Sequence, residues 1–534
     1  MIDDGQRPDF IVVGAGSAGC AVAWRLARSG RHSVCLIEQG PEDLSPLIRM
    51  PKGFGALLAG DQYVARYPVT NQSRNKSDEV WLRGKTLGGS SAVNGLLWMR
   101  PQAAGFAAME QAGQPYWPWP ELEKHFDALD GGDHGRGMFP VGPHRQKHAI
   151  SDAFVRAAQS FGLPAISGRT GLGRPGAALM QYNISPQGRR VSASHALLAE
   201  ARKRPGFRVI TAAKIDRVLF EGRRAVAVSG SKAGESFVLH AAKEVILCAG
   251  TVETPLILQR SGVGPADCLR SHGITPVLDS PQVGENLREH LLLGINFRVN
   301  SWAHSENRQY RGARLLGNLL RYALFKNGPM SQSLCHAAAF IPGRGEQGER
   351  AGAMVMFNPF SRSGDQFSNE PGVCLVAYAI HPQSSGQIRI SDSAPDAPPQ
   401  IKPRYLDTAD DRELSVVAVR AIRELARQPA LASFIKEEME ETVCAQTDEE
   451  IIKLYQNRGM PGFHAVGSCA LGQGIEDSVV DGRTRVHGLE ALRIADCSIM
   501  PEMLAPISNA TAMGLGMHAA GLIEQDWNHG QAGS

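Results

Sequence analysis

The sequence predicts an α/β protein whose N-terminal part forms a parallel strand–turn–helix–strand unit. Residues 10–13, FIVV, are a short apolar run that is typical of a buried parallel strand. The glycine-rich segment GAGSAG follows, and then a helical stretch, CAVAWRLARSG, that ends at Gly30. A second apolar run, SVCLIE, ends at Glu38 and completes the unit.

Length and composition indicate a folded protein with more than one domain. The chain has 534 residues, which is more than one hydrophobic core ordinarily serves, so two domains are expected. The apolar fraction is 43% and the charged fraction 20%, which argues against disorder. Lys and Arg number 56 against 53 Asp and Glu. Because the charges nearly balance, neither nucleic acid nor an acidic membrane is expected as a partner.

The cysteines and the apolar segments favour a cytoplasmic protein. The nine cysteines include no C-x-x-C pair and no zinc-like spacing, so no metal site is expected, and a reducing compartment fits. The first residues, MIDDGQRPD, are polar and acidic and do not resemble a secretory signal. No stretch approaches the roughly 20 uninterrupted apolar residues of a transmembrane segment.

The rest of the chain predicts further elements of both kinds. Residues 205–248 contain four short alternating segments, FRVI, IDRVLF, AVAVSG and SFVLH, which predict a small antiparallel meander. VILCAG and LRIADCS are typical of further buried strands. Helices are predicted at residues 120–130, 410–427 and 510–525. The absence of a repeat or a low-complexity linker favours two domains that interleave along the chain.

The glycine-rich turn matches a dinucleotide-binding fingerprint. Gly14, Gly16 and Gly19 form G-x-G-x-x-G between the predicted strand and helix. The first glycine permits the tight turn, the second lets the backbone approach a pyrophosphate, and the third lets the helix pack on the strand. Glu38 ends the second strand, where its carboxylate accepts hydrogen bonds from a ribose and repels a 2′-phosphate. The motif predicts a dinucleotide site, and Ser17 and Ala18 within it are expected cofactor contacts, but it does not separate FAD from NAD.

Two further segments, residues 83–95 (RGKTLGGSSAVNG) and 250–264 (GTVETPLILQRSGVG), resemble the signature segments of the glucose–methanol–choline (GMC) oxidoreductase family. The resemblance continues through PQVGENLREH and the segment GQIRISDSAPDAPPQIKPRYLD. It ends with FHAVGSCALG and LRIADCSIMPEMLAPISNATA, and so covers essentially the whole chain. Several separate segments in the family's order make a chance match improbable.

The resemblance implies a Rossmann-type FAD-binding domain interleaved with a substrate domain built on an antiparallel sheet, α/β in class and α+β overall. The implied FAD-binding segments are residues 1–120, 185–300 and 460–534. The implied substrate-binding segments are residues 121–184 and 301–459.

The same resemblance implies the cofactor contacts. The small and hydroxyl residues of KTLGGSSAVN leave backbone N–H groups free to line a phosphate or a flat ring. The contacts carried over from the family's pattern are Arg83, Gly88, Gly89, Ser91, Asn94, Asp496, Asn509 and Ala510. For Asp496, a capping carboxylate on a turn is an equally good interpretation. Val93 stands where some family members attach FAD to a histidine, so non-covalent FAD is expected.

The resemblance also implies the catalytic base. Oxidation of an alcohol by a flavin moves a hydride to flavin N5 while the hydroxyl proton leaves, and a neutral imidazole is a suitable acceptor for that proton. His464, in FHAVGSCALG, matches the segment that carries the family's catalytic histidine. His290, in ENLREH, is expected to be structural and to hydrogen-bond a turn.

One position departs from the family's pattern. The family usually pairs its histidine with an Asn or His some forty residues later, and alignment through IMPEMLAPISNATA puts Ile507 there. Isoleucine has no donor or acceptor, and Asn509 is the nearest polar substitute. We therefore expect Ile507 to shape the pocket, with Asn509 as the rival candidate for the second catalytic position.

The leading functional hypothesis is FAD-dependent oxidation of a primary aryl or aliphatic alcohol, with oxygen or another molecule as electron acceptor. An alternative is an FAD-retaining lyase of the hydroxynitrile-lyase type, which uses acid–base chemistry alone. A non-catalytic flavin-binding protein is a third alternative, which the presence of His464 disfavours.

Overall fold

Five short strands form a parallel sheet in the computed structural model, which describes residues 7–70, 79–146, 148–343, 350–364 and 366–529. In spatial order the strands are Leu492–Ile494, Glu244–Leu247, Phe10–Val13, Val34–Ile37 and Phe207–Ile210. All pair in parallel, and the first four are buried throughout, which is why they are near-continuous apolar runs in the sequence. Helix Ser17–Arg28 packs against the sheet and against the C-terminal helix, Asn509–His529.

A larger antiparallel sheet forms the second half of the molecule. Its strands follow the order Ile435–Glu438, Leu291–Val299, Gly372–Ala379, Ala351–Asn358, Ala337–Pro342 and Gly176–Leu179, with Met460–Pro461 paired to Leu291–Val299. Helix Ala409–Arg427 packs against this sheet and buries a stripe of apolar residues there. The predicted fold class, with a Rossmann-type sheet and a separate antiparallel sheet, is confirmed. The domain boundaries themselves stay a prediction; strand Leu291–Val299, at the end of segment 185–300, belongs to the antiparallel sheet.

The predicted meander is present with one strand fewer. Strands Ala213–Glu221, Arg224–Lys232 and Glu235–His240 form a three-stranded antiparallel sheet. The prediction was wrong for FRVI: Phe207–Ile210 is instead the edge strand of the parallel sheet. The backbone of Phe207–Ile210 pairs with the N–H and C=O groups on the outer side of strand Val34–Ile37. The local sequence pattern does not reveal this pairing, because the two strands are far apart in the chain.

The remaining strands form two-stranded ribbons, and the remaining α-helices include the almost wholly buried Gly250–Arg260. The two-stranded ribbons pair Val64–Pro68 with Val80–Gly84, Val141–Pro143 with Gln181–Asn183, Val263–Gly264 with Leu278–Asp279, Arg362–Ser363 with Gln366–Phe367, and Gln387–Arg389 with Gln400–Lys402. The other helices are Pro46–Arg49, Phe54–Ala59, Ala103–Ala112, Trp119–Asp130, Ala149–Ser160, Ala199–Ala201, Gly250–Arg260, Ala266–Ser271, Gly312–Phe325, Pro429–Ala432, Glu440–Val443 and Asp448–Arg458. Among the described helices, none combines the length and the apolar character needed to cross a bilayer.

Candidate active site

A cavity of about 1010 Å³ runs between the two sheets. On one side it is lined by residues at the carboxyl ends of the parallel strands, namely Val13, Glu38, Cys248 and Asp496. On the other side it is lined by one face of the antiparallel sheet. Open α/β sheets bind ligands at the carboxyl ends of their strands, so the fold itself points to this cavity.

The three fingerprint glycines are required for three different reasons. Gly14 has φ +100°, and a Cβ there would lie 2.5 Å from the carbonyl oxygen of Cys248. A Cβ on Gly19 would lie 1.8 Å from the carbonyl oxygen of Gly14, so Gly19 serves packing and does not line the cavity. A Cβ on Gly16 would meet nothing within 4 Å, and Gly16, Ser17 and Ala18 all line the cavity. The protein itself therefore leaves the space in front of Gly16 open.

Glu38 joins the fingerprint turn to the end of the second strand. Its carboxylate accepts hydrogen bonds from the N–H groups of Ala15 and Gly40, each at 2.9 Å. The side chain is buried and lines the cavity. Burial raises the pKa of Glu38, the two backbone N–H groups lower it by less, and the net pKa is about 7. Glu38 thus holds the glycine turn in addition to its predicted contact with a ribose.

The segment 83–95 lies directly against this turn. A Cβ on Gly89 would be 2.7 Å from Cα of Gly16, so only glycine allows the two backbones to approach so closely. Gly89 and Asn94, two of the predicted cofactor contacts, line the cavity, together with Val93 and with Ser90, which the sequence reasoning missed. Gly88 and Ser91 stand behind the lining instead. Ser91 donates to the carbonyl of Gly88 at 2.6 Å and accepts from the N–H of Ala193 at 2.9 Å.

A buried arginine supports the same segment, and no motif in the sequence pointed to it. The Arg190 side chain is fully buried and donates to Asn94 Oδ1 at 2.8 Å and to the carbonyl oxygens of Ser91, Ile48 and Pro51 at 3.0–3.3 Å. Burial lowers the pKa of Arg190 to about 9. This guanidinium cross-links residues 48–51 to residues 91–94 behind the cavity wall.

The C-terminal segment contributes Asp496 to the cavity wall at the carboxyl ends of the parallel strands. Asp496 accepts from the N–H of Gly250 at 2.8 Å, the hydroxyl of Thr254 at 2.6 Å and the N–H of Ser498 at 2.8 Å. It is therefore a capping carboxylate, as the alternative interpretation stated, and it also lines the cavity.

Asn509 links the C-terminal helix to the fingerprint. Its Oδ1 accepts from the Ser17 hydroxyl at 2.8 Å, and it lines the cavity. Its Nδ2 is buried and has no hydrogen-bond partner among the residues that the structure describes. Ala510, by contrast, is buried in the core and does not line the cavity.

A buried carboxylate, Glu289, fixes the backbone at His464. Glu289 accepts from the backbone N–H groups of His464 at 2.7 Å and of Ala465 at 3.0 Å. Burial raises the pKa of Glu289, the nearby Arg83 guanidinium lowers it by less, and the net pKa is about 7. Phe463, just before the histidine, has φ +61°, a left-handed conformation that a non-glycine residue adopts only when its surroundings enforce it.

His290 bonds the carbonyl oxygen of Ile380, in the bend after strand Gly372–Ala379, and it also forms a hydrogen bond with His464 that the sequence did not predict. The two Nδ1 atoms lie 2.9 Å apart, and His290 is fully buried. The close approach needs Gly462, whose Cβ would lie 3.0 Å from His464 Nδ1. Burial lowers the pKa of His290 to about 4. Burial holds the pKa of His464 well below its usual range, and electrostatic interactions with His290 and Arg83 lower this pKa further, by smaller amounts.

The hydrogen bonds of these two neutral rings assign their tautomers. His290 Nε2 lies 2.7 Å from the carbonyl oxygen of Ile380, which only accepts, so Nε2 carries the proton. His290 Nδ1 is then an acceptor, and His464 Nδ1 must donate to it. This leaves Nε2 of His464 unprotonated. Because His464 lines the cavity, Nε2 is the basic atom that it offers there.

Two more predicted residues complete the wall near His464. Arg83 lines the cavity, donates to the carbonyl oxygen of Phe463 at 2.5 Å and lies 3.6 Å from Glu289 Oε2; its Nη2 atom has no hydrogen-bond partner among the described residues. Ile507 is 7% exposed and lines the cavity with an apolar surface. The Tyr378 hydroxyl donates to the carbonyl oxygen of Pro506 at 3.0 Å and so fixes the backbone beside Ile507.

Two histidine–glutamate groups of the described residues bring donor atoms within 4.8 Å of one another. One consists of Glu289, His290 and His464, whose bonds are described above. The other consists of His148, Glu306 and His336, where Glu306 also pairs with the buried ammonium of Lys52 at 2.9 Å. The predicted absence of a metal site stays a prediction.

Comparison with known proteins identifies the family whose sequence models match this chain. Two family models, both described as GMC oxidoreductase, match residues 8–292 and 382–516. An alcohol dehydrogenase [acceptor] from Pseudomonas putida is 32% identical over 96% of this chain and 95% of its own length. An oxygen-dependent choline dehydrogenase from Ectopseudomonas mendocina is 32% identical over 95% of this chain and 92% of its own. The crystal structure of pyridoxine 4-oxidase from Mesorbium loti superposes with a TM-score of 0.86 at 27% identity, covering 97% of this chain and 99% of that one.

Proposed function

Since the chain belongs to the GMC oxidoreductase family, we propose that it oxidises a primary aryl or aliphatic alcohol to the carbonyl, with His464 as the base. The family makes the chain an oxidoreductase that uses a small-molecule substrate and an electron acceptor. One observation carries the proposal: a neutral histidine, with an unprotonated Nε2, lines the same cavity as the dinucleotide fingerprint.

The cofactor is FAD, and the residues of the cavity fit it. The space in front of Gly16 is open to a pyrophosphate, and Glu38 lies where a ribose would be bound. Asn509 Nδ2 is a buried donor in the lining with no hydrogen-bond partner among the described residues, which is costly unless a ligand supplies one, and Arg83 Nη2 has only its 3.6 Å ion pair with Glu289. Val93 lines the cavity and has no atom that forms a covalent link to the cofactor. When bound, FAD supplies a hydride acceptor at flavin N5.

The chain's own residues supply the proton chemistry and the orientation. His464 Nε2 accepts the hydroxyl proton of the alcohol, and the imidazolium that forms is oriented by the bond from its Nδ1 to His290. His290 keeps its own proton on Nε2, held by the Ile380 carbonyl, so it cannot rotate out of this arrangement without losing that bond. Glu289 fixes the backbone of His464 through two N–H bonds. These contacts hold the base in place before substrate enters.

Ile507 and Asn509 are expected to give different phenotypes. Ile507 presents an apolar wall, so Ile507→Ala should impair the positioning of the alcohol and raise KM more than it lowers the limiting rate of flavin reduction. Asn509 bonds Ser17 in the fingerprint, so Asn509→Ala should weaken FAD retention. Stopped-flow reduction and the flavin-to-protein absorbance ratio measure the two effects.

The rival assignment predicts the reverse result. If Asn509→Ala keeps its full FAD content and stops flavin reduction, while Ile507→Ala behaves as wild type, then Asn509 and not Ile507 occupies the second catalytic position.

Anaerobic mixing with alcohols tests the proposed function directly. An oxidoreductase bleaches its flavin absorbance on mixing with substrate, whereas a lyase or a non-catalytic binder leaves the spectrum oxidised. The panel should contain aryl and aliphatic primary alcohols, sugars and choline, and oxygen admitted afterwards shows whether oxygen reoxidises the flavin. The lyase alternative gains no support from the relatives, which are oxidoreductases. A flavin that no alcohol bleaches would overturn the proposal.

A further inference from the structure

The face of the antiparallel sheet that lines the cavity changes from apolar to polar along its strands. Gly294, Val376 and Met356 lie side by side on three neighbouring strands, and we call them the proximal row. Two residues further along each strand, Asn296, Cys374 and Asn358 lie side by side, and we call them the distal row. All six residues line the cavity.

The position of His464 gives this face a direction. Strand Leu291–Val299 begins directly after His290, and its first two residues pair with Pro461 and Met460, a few residues before His464. Leu292, at this end, lines the cavity two residues before Gly294. The distal row lies four residues beyond Leu292, which is about 13 Å at about 3.3 Å per residue. An alcohol that reaches His464 therefore passes an apolar wall before it meets the distal row.

The two amides of the distal row differ in their bonding. Both the oxygen and the nitrogen of the Asn296 amide are hydrogen-bonded within the protein. Its Oδ1 accepts from the N–H of Arg362 at 3.2 Å, and its Nδ2 donates to the carbonyl oxygen of Arg362 at 3.0 Å. Asn358 is 8% exposed and makes no side-chain hydrogen bond to any residue that the structure describes. Because Asn358 lines the cavity, its amide donor and acceptor stay available to a group that enters there.

We propose that Asn358 is a specificity-determining residue, which hydrogen-bonds an uncharged polar group at the far end of a substrate whose middle is apolar. The inference rests on the proposed function and names the substrate class: a primary alcohol with an apolar body and a distal hydroxyl, ether or carbonyl oxygen. A neutral amide offers both a donor and an acceptor to such a group. Asn358 lies two strands across the sheet from Asn296, so it is about 16 Å from Leu292, which matches an extended chain of about ten to twelve carbon atoms.

The test compares α,ω-diols with 1-alkanols of equal chain length, from six to twelve carbon atoms, by anaerobic flavin reduction. In the wild type, kcat/KM should favour the diol about tenfold at the matching length, beyond the twofold factor for two equivalent ends, and should show no such preference at six carbons. Asn358→Leu keeps the volume and removes both hydrogen-bonding groups. It should abolish the preference by raising KM for the long diol, with kcat and the rates of short alkanols unchanged.

Cys374→Ala is the matched control, because Cys374 lies beside Asn358 in the same row and lines the same cavity. It should leave the diol preference intact. The inference fails if wild type treats diols and alkanols alike at every length, if Asn358→Leu retains the preference, or if an ω-carboxylate is favoured equally with and without Asn358. All three results would leave 1-alkanol oxidation intact, whereas failure of the proposed function would leave the flavin oxidised with every alcohol.

Discussion

Replacing His464 with alanine is expected to slow flavin reduction by an alcohol at least about 100-fold, because a positioned general base typically contributes 10²–10⁴-fold. The variant loses the one unprotonated nitrogen that His464 offers to the cavity, but not the contacts around the fingerprint. The oxidised FAD spectrum should therefore remain normal. Stopped-flow reduction under anaerobic conditions measures the rate of the reductive step separately from reoxidation.

The pH dependence of the wild type follows from the lowered pKa of His464. Burial disfavours the imidazolium first, and His290 and Arg83 add to that effect. The base therefore stays neutral and active through the ordinary histidine range, and the rate of reduction should fall only at clearly more acid pH. An acid limb near pH 6.5 would indicate a solvent-exposed base and contradict this environment.

His487→Ala provides the control for loss of a histidine. His487 Nε2 lies 3.0 Å from the Ser478 hydroxyl, and the residue does not line the cavity. The same holds for His518, whose Nε2 lies 2.7 Å from the carbonyl oxygen of Tyr116. We expect the His487 variant to reduce its flavin at the wild-type rate. If His464→Ala does so as well, the proton acceptor is another group.

Replacing Gly16 with alanine is expected to abolish FAD retention while leaving the apoprotein folded. A Cβ at Gly16 meets no protein atom within 4 Å, so the chain itself tolerates the methyl group. The methyl group would instead occupy the space through which the turn approaches a pyrophosphate. The purified variant should be colourless, with a far-UV circular dichroism spectrum like that of wild-type apoprotein.

Alanine variants of two other glycines serve as controls for this prediction. A Cβ on Gly55, in helix Phe54–Ala59, also meets nothing within 4 Å, and Gly55 does not line the cavity, so Gly55→Ala should stay yellow. A Cβ on Gly19 would lie 1.8 Å from the Gly14 carbonyl oxygen, so Gly19→Ala should destabilise the fold itself. A yellow Gly16→Ala protein with full FAD content would show that this glycine does not face the cofactor.

The sequence predicts well what depends on neighbouring residues. The strand, the glycine turn, the helix and Glu38 lie within residues 10–38, and each is specified by its own residue types at fixed spacing. The resemblance carried His464 and the segment 83–95 to the same cavity. It failed in detail within the short 3-10 helix Gly89–Ala92, where successive side chains point in different directions, so that Ser90 lines the cavity and Ser91 bonds the backbone behind it.

The sequence by itself determined the class of fold and the dinucleotide turn, and it pointed to His464 as the candidate base, because each of these depends on one contiguous motif. Only the tertiary structure decided the state of that base. His290 and His464 are 174 residues apart, and the tautomer of the pair depends on the carbonyl of Ile380, a third distant position. Arg190 and the distal row likewise acquire their roles through contacts between separate strands and loops. Such contacts depend on the packing of whole elements, which no local spacing of residues encodes.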